Sequence, residues 1–280
     1  MRSTPLLWHD IRRAQHADAP WVVLLHGLLE DHTTWETVLP VLNGSFNVVR
    51  VDLPGHGSSR SVRTGEGLAG VADEVALIIE RLEIPRAHVV GFSMGARIAM
   101  FLAAQRGDLC LSLVMVDMGP GRKPNVYRHF AELFSYPAFR CSSFTADQRR
   151  VWLTEEGIPI ALHGMLENSV EHDSHGMFSW RFSPEAVLNL VREISEHDFW
   201  NIFANVSCKT LVVRAGNSAY LDANDAQKME RTRRHVTLRT VAGTRHAVHR
   251  EATDIFARLL LDWLTSNAYD RPSTEFMPLQ

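Results

Sequence analysis

Short apolar runs that end in glycine or proline alternate along this chain with longer stretches whose apolar positions recur every three or four residues. WVVLLHG (Trp21–Gly27) is one such run, and it predicts a buried parallel strand. HTTWETVLPVL follows with helical spacing. FNVVRVDLPGHGSS (Phe46–Ser59) reads as a strand running into a Pro/Gly loop. From Glu66 to Glu83, Leu68, Val71, Val75, Leu77, Ile78, Ile79 and Leu82 mark an amphipathic helix. AHVVGFS predicts a strand, MGARIAMFLAAQRG a helix closed by Gly107, and LSLVMVDMGP another strand broken by Gly-Pro.

The alternation stops there. From about Gly119 to Asn205 the pattern is helix-like but irregular, with many aromatic, Arg and His residues. It resumes with TLVVRAG, a helix from Asp222 to about Arg231, the strand HVTLRTVAG, and a closing helix from about Arg250 to Leu264. Alternating strands and helices predict an α/β fold, a mostly parallel sheet covered on both faces by helices. The domain organisation expected is a core of residues 1–118 and 206–265, a helical cap insertion at 119–205, and a loose C-terminal tail at 266–280.

Composition narrows the function classes. The 280 residues are 45% hydrophobic, enough for one large core, and the net charge of −3 supplies no basic field for nucleic acid. No run is long and apolar enough for a membrane span, and the N-terminus does not read as a secretory signal. Three widely spaced cysteines, Cys110, Cys141 and Cys208, suit buried thiols in a reducing compartment, so a cytoplasmic location is expected. A monomer or homodimer acting on a small molecule fits these features.

The candidate chemistry lies in GFSMG. Chance supplies one Gly-x-Ser-x-Gly in about one chain in ten of this length, so its setting matters more than the pattern. Ser93 falls between an apolar strand and a helix, the context of a nucleophile elbow. Such a turn strains the serine backbone, and flanking glycines permit close backbone approach. A serine hydroxyl needs a base, the base needs an orienting carboxylate, and acyl transfer needs oxyanion donors. His246, in the loop after the last strand, is the candidate base. His249, near the closing helix, is its competitor and otherwise packs or caps. The backbone N–H groups of Leu28, in the LLHGLL turn, and of Met94, directly after Ser93, are the candidate oxyanion donors.

LLHGLLEDHTTW, VDLPGHGSS, GFSMGARIAM and VAGTRHAVHRE, in this order, resemble the α/β-hydrolase superfamily. The resemblance covers most of the chain outside the insertion and tail. In most of that superfamily the acid follows the next-to-last strand, but here Asn217, Ser218 and Ala219 stand there, with no carboxylate. Asp222 comes next and reads as a helix N-cap, with Asp225 adding charge in the first turn. Asp117, at the end of LVMVD, also sits at the active edge of the sheet. VDMGP with AGNSAYL and FSWRF resembles small bacterial esterases and acyl-thioesterases of the YbfF type, and the resemblance gives the acid role to Asp117; otherwise Asp117 caps the insertion's first helix.

The resemblance implies a serine hydrolase acting on a carboxylic ester or acyl thioester through an acyl-enzyme, with no cofactor and no metal. A serine rather than an aspartate at the elbow points to attack on a carbonyl instead of alkyl carbon. Alternatives with the same residues are a lactonase for enol-lactones or acyl-homoserine lactones, a carbon–carbon hydrolase or lyase of the menaquinone-pathway type, and a non-catalytic hydrolase-fold receptor. His56 is expected to shape a turn. The insertion arginines Arg122, Arg128, Arg140, Arg149, Arg150 and Arg181 are expected on a solvated surface rather than in an anion site. Trp152, Phe178, Trp180 and Phe182 are expected as cap core rather than an acyl pocket.

Overall fold

The computed structural model describes residues 6–62, 67–141, 143–154, 167, 169–232 and 234–268; the side chains of 137, 138 and 152–154 fall outside it. Among the described residues, seven strands form the central sheet: β1 (His9–Arg12), β2 (Trp21–Leu25), β3 (Asn47–Val51), β4 (Ala87–Phe92), β5 (Cys110–Val116), β8 (Lys209–Ala215) and β9 (Val236–Val241). Their spatial order is β1-β3-β2-β4-β5-β8-β9. Every pairing is parallel except β1 with β3.

The apolar runs are strands buried on both faces, and alternate residues feed separate cores. Val23, Leu25, Val89 and Met115 pack on one face against the helices Gly67–Arg81 and Met94–Gln105. Val22, Leu24, Val90 and Val114 pack on the other, against Trp35 and the helix Thr253–Ser266. This two-sided burial is why the inner strands β2, β3, β4 and β5 carry no polar alternation, unlike the half-exposed edge strand β9. Among the described residues no helix is long and apolar enough to cross a membrane.

The structure departs from the sequence reading in several places. β1 was not anticipated: it is four half-exposed residues on the sheet edge, too short to show a period. HTTWETVLPVL is two pieces, a 3-10 turn at His32–Trp35 capped by Asp31 and a helical turn at Leu39–Leu42. The closing helix is also two pieces, Val248–Glu251 and Thr253–Ser266, separated at Ala252, whose ψ of 56° leaves the helical region. The helix expected from Glu66 starts at Gly67 among the described residues, and Glu66 lies outside them. Most of the expected tail, 269–280, also lies outside the described residues.

The chain leaves the sheet after β5 and returns at β8. In between it is not wholly helical. The helices Val126–Leu133, Ala146–Thr154 and Pro184–Glu196 are joined by an antiparallel hairpin, β6 (Val170–His172) with β7 (Phe178–Trp180). Its turn is held by the Asp173 carboxylate, which accepts from the amides of His175 and Met177, and by Gly176 at φ 75°. Phe130, Phe134, Phe139, Phe144, Trp180 and Phe182 form a separate aromatic core here. Phe178 packs against that core and the Trp152 side chain lies outside the described residues. Backbone bonds fasten the segment to the sheet domain: Gly57 N–H donates to Arg181 O (2.6 Å) and Ser183 N–H to Gly55 O (2.7 Å).

Candidate active site

Parallel strands bring their carboxyl ends to one edge, and the chain turns sharply there after β4 and β5. Ser93 has φ 53° and ψ −115°, and Asp117 has φ 50°. Both are non-glycine residues at positive φ, a strain of about 1–3 kcal/mol each. Sheet hydrogen bonds hold them: Ser93 N–H donates to Val116 O (3.0 Å) and Asp117 N–H to Val213 O (2.8 Å). The elbow glycines are required by proximity. A Cβ on Gly91 would meet the Gly95 carbonyl, and a Cβ on Gly95 would meet the carbonyls of Leu25 and His26. The helix that follows Ser93 therefore starts directly against the turn that follows β2.

That turn is fixed by His26, which is fully buried. Its Nε2 accepts from Leu53 N–H (2.9 Å), so the ring proton is on Nδ1 and donates to Gly27 O (2.7 Å). Among the described residues neither the Leu28 N–H nor the Met94 N–H donates to a protein acceptor, and both residues line the same cavity as Ser93.

Across the strand ends, His246 Nε2 lies 2.8 Å from Ser93 Oγ, and His246 Nδ1 lies 2.8 Å from Asp117 Oδ2. Because Nδ1 faces a carboxylate, it carries the proton and Nε2 is left to accept from the serine hydroxyl. Asp117 is completely buried. Ala215 N–H donates to its Oδ1 (2.8 Å), and the Ser218 hydroxyl donates to its Oδ2 (2.7 Å). Ser218 Oγ in turn accepts from Leu221 N–H (2.8 Å) and Tyr220 N–H (3.1 Å), which fixes the direction of its own proton. A buried carboxylate needs such partners to offset lost hydration. Tyr220 lies over the His246 ring with centroids 4.0 Å apart, and Phe92 lies at 4.8 Å. Burial, and then the nearby Asp117 charge, push the Tyr220 phenol above its ordinary pKa.

The competing residues sit elsewhere. His249 is fully buried, its Nε2 2.8 Å from Thr34 Oγ1, with Trp35 and Phe92 against its ring. Burial drives its pKa to about 3, so it stays neutral and does not touch Ser93. His56 is buried in its turn, its Nδ1 3.0 Å from Pro54 O. Asp222 Oδ1 accepts from Asp225 N–H (2.9 Å) and caps the helix Ala223–Thr232. The reading missed Ser218. It occupies the position where a carboxylate was sought and serves the carboxylate that stands at the end of β5 instead. The AGNSAYL stretch held the signal, a hydroxyl at the expected acid position.

Ser93 is 6% exposed, at the floor of a cavity of about 880 Å³. The sheet domain contributes Leu28, Thr33, Met118, Tyr220 and Arg250 among others. The insertion contributes Lys123, Val126, Phe130, Ser169, Arg181 and Ile194. Arg181 thus departs from the expected surface set: its Nη1 donates to Asp31 Oδ2 (2.6 Å) inside the cavity wall. Arg122, Arg128, Arg140 and Arg150 are exposed, and Arg149 is half-buried. Among the described residues no group of three or more His, Cys, Asp or Glu is arranged to hold a metal ion.

The sequence profile of the Alpha/beta hydrolase family matches residues 22–259. A candidate esterase/lipase of Haemophilus influenzae is 24% identical over 267 residues, covering 93% of this chain and 88% of that protein. A 2-succinyl-6-hydroxy-2,4-cyclohexadiene-1-carboxylate synthase of Pectobacterium atrosepticum is 37% identical over a shorter stretch, 36% of this chain and 40% of that protein. Among solved structures, the enol-lactonase of Burkholderia xenovorans LB400 superposes with a TM-score of 0.72 at 21% identity, covering 92% of this chain and 96% of that one. An E-2-(acetamidomethylene)succinate hydrolase superposes at 0.74 and 23% identity, over 92% and 95% of the two chains. With strand order, elbow and family profile in agreement, the chain belongs to the α/β hydrolase family.

Proposed function

We propose that the protein is a serine hydrolase that cleaves a carboxylic ester or acyl thioester through an acyl-enzyme. The observation that carries this reading is the continuous chain Ser93 Oγ–His246–Asp117, two contacts of 2.8 Å ending on a carboxylate with no solvent exposure. In this reading Ser93 Oγ attacks the carbonyl carbon while its proton passes to His246 Nε2. The oxyanion is held by the unpartnered N–H groups of Leu28 and Met94. His246 then protonates the departing alkoxide or thiolate. A water, deprotonated by the same nitrogen, attacks the acyl-enzyme and releases the acid. Asp117 keeps the Nδ1–H tautomer and offsets the imidazolium charge. The segment between β5 and β8 acts as a cap whose side chains select the substrate.

A lactone is a cyclic ester and needs the same groups, so a lactonase is the second reading; the resemblance to an enol-lactonase structure favours it. The discriminating experiment offers purified protein p-nitrophenyl acetate, p-nitrophenyl butyrate and a panel of acyl-CoAs and lactones. Ser93→Ala should lower kcat on the accepted substrate by about 10⁴-fold or more, with an unchanged melting curve. Equal turnover by wild type and Ser93→Ala would sink the reading.

A further inference from the structure

Among the described residues, four cationic ones line the cavity that holds Ser93: Lys123, Arg181, Arg245 and Arg250. Three are neutralised in place. Arg181 pairs with Asp31 at 2.6 Å, Arg250 with Glu30 at 2.6 Å and Arg245 with Glu251 at 3.4 Å. Lys123 is different. Among the described residues its ammonium makes no ion pair and no hydrogen bond, and Asp225, Asp222 and Asp117 act on it only through longer-range attraction.

Its surroundings make that costly. Lys123 is half-buried, and its backbone is tied to the helix Pro184–Glu196 by its N–H donating to Ile194 O (3.1 Å). The cavity-lining residues hydrogen-bonded to its backbone are Val126 and Ile194, both apolar. Burial pulls its pKa below the ordinary lysine value, against the pull of Asp225. An ammonium that has lost water without gaining a carboxylate is under-compensated, and an anion entering the cavity restores the balance. The strand end carrying Asp117 leads in six residues to Lys123, so this charge and Ser93 share one enclosure.

We propose that Lys123 docks a carboxylate of the substrate, making the preferred compounds esters that carry a free carboxylate rather than neutral acyl esters. The proposal rests on Ser93 as the nucleophile. The three neutralised arginines sharpen it: among the described residues they leave Lys123 as the cavity-lining cation without an ion pair.

The test compares wild type, Lys123→Met and Lys123→Arg on three esters. Mono-p-nitrophenyl glutarate places the carboxylate on the acyl part, 4-carboxyphenyl butyrate places it on the alcohol part, and p-nitrophenyl butyrate is neutral. Wild type should favour one charged ester over the neutral one by tenfold or more in kcat/KM, through KM. Lys123→Met should cut that ratio at least tenfold, and Lys123→Arg should keep most of it. Raising salt to about 0.5 M should weaken the wild-type preference. A ratio unchanged in Lys123→Met for both charged esters, or a wild-type preference for the neutral one, overturns the proposal. If no ester is hydrolysed, the reading of Ser93 falls separately. Calorimetry with glutarate then decides: binding by wild type and not by Lys123→Met retains the docking role, and equal or no binding removes it.

Discussion

At the carboxyl ends of β4, β5 and β9 the polar side chains converge on one buried carboxylate, while the wall built by the insertion mixes fastened side chains, Ser169 and Arg181, with the unpaired ammonium of Lys123 among the described residues. Asp117 accepts from Ala215 N–H, Ser218 Oγ–H and His246 Nδ1–H and has no exposure. The Arg181–Asp31 pair in the cavity wall keeps an arginine that is 29% exposed, and the Lys123 ammonium makes no ion pair or hydrogen bond among the described residues. Groups that must keep one geometry through a reaction gain from several fixed partners and low dielectric. Groups that meet varied substrates gain from unspent donors. On the proposed function, rate belongs to the sheet edge and selection to the insertion.

The strongest challenge to that division is Asp117→Asn. The amide is nearly isosteric, but it offers no carboxylate to hold the Nδ1–H tautomer. On the accepted substrate kcat should fall by about 10³–10⁴-fold with KM within a few-fold of wild type. Asp222→Asn, at a helix cap where either residue serves, should leave kcat within about twofold. If Asp222→Asn proved the crippling change, the acid would lie in the other loop and the comparison would lose its rigid half.

Ser218→Ala gives a finer measure of the same framework. It removes one charge-assisted donor to Asp117 Oδ2 and one acceptor for the amides of Tyr220 and Leu221. Such a bond is worth about 1.5–3 kcal/mol, so kcat should fall by roughly tenfold to a hundredfold. Ser218→Thr, which keeps the hydroxyl, should recover most of the loss. A wild-type kcat in Ser218→Ala would mean that the remaining partners suffice to hold the carboxylate.

These two regions also differ in how far the sequence discloses them. The strand–turn–helix around Ser93 is local, so a few neighbouring residues identify it. His246 follows from chain order and a glycine-ended strand. Asp117 is legible only through resemblance, because its bond to His246 spans 129 residues of chain. The Ser218 hydroxyl stands where the acid was sought, but its acceptor lies 101 residues away, so its neighbours do not disclose what it bonds. In the insertion, three-residue strands are too short for a period of two to show, so Val170–Trp180 reads as irregular helix although Asp173 and Gly176 mark its turn. The cavity wall depends on tertiary pairing of that hairpin and its helices, which periodicity does not encode.

Arg181→Met should change turnover less than Asp117→Asn or Ser218→Ala and is the most direct probe of the insertion's role. The backbone fastening survives, since Gly57 N–H donates to the Arg181 carbonyl and not to its side chain. What is lost is the contact to Asp31 Oδ2 and the Nε–H bond to Val170 O (3.0 Å). KM should rise a few-fold with kcat nearly unchanged, and stability should fall by about 1 kcal/mol near neutral pH. The pH dependence of that loss can be signed. Burial alone would raise the Asp31 pKa above its ordinary 3.8, but hydrogen bonds from Thr33 and Arg181 more than offset it and the net shift is downward. A depressed carboxylate contributes stability above its unfolded pKa and loses it as pH falls through the folded one. Removing Arg181 takes away part of that contribution, so the stability gap between wild type and Arg181→Met should be full near pH 7 and narrow below about pH 4. Chemical denaturation at the two pH values measures the gap. A kcat loss in Arg181→Met as deep as that of Asp117→Asn would place the insertion in the reaction itself, and the division between rate and selection would have to be given up.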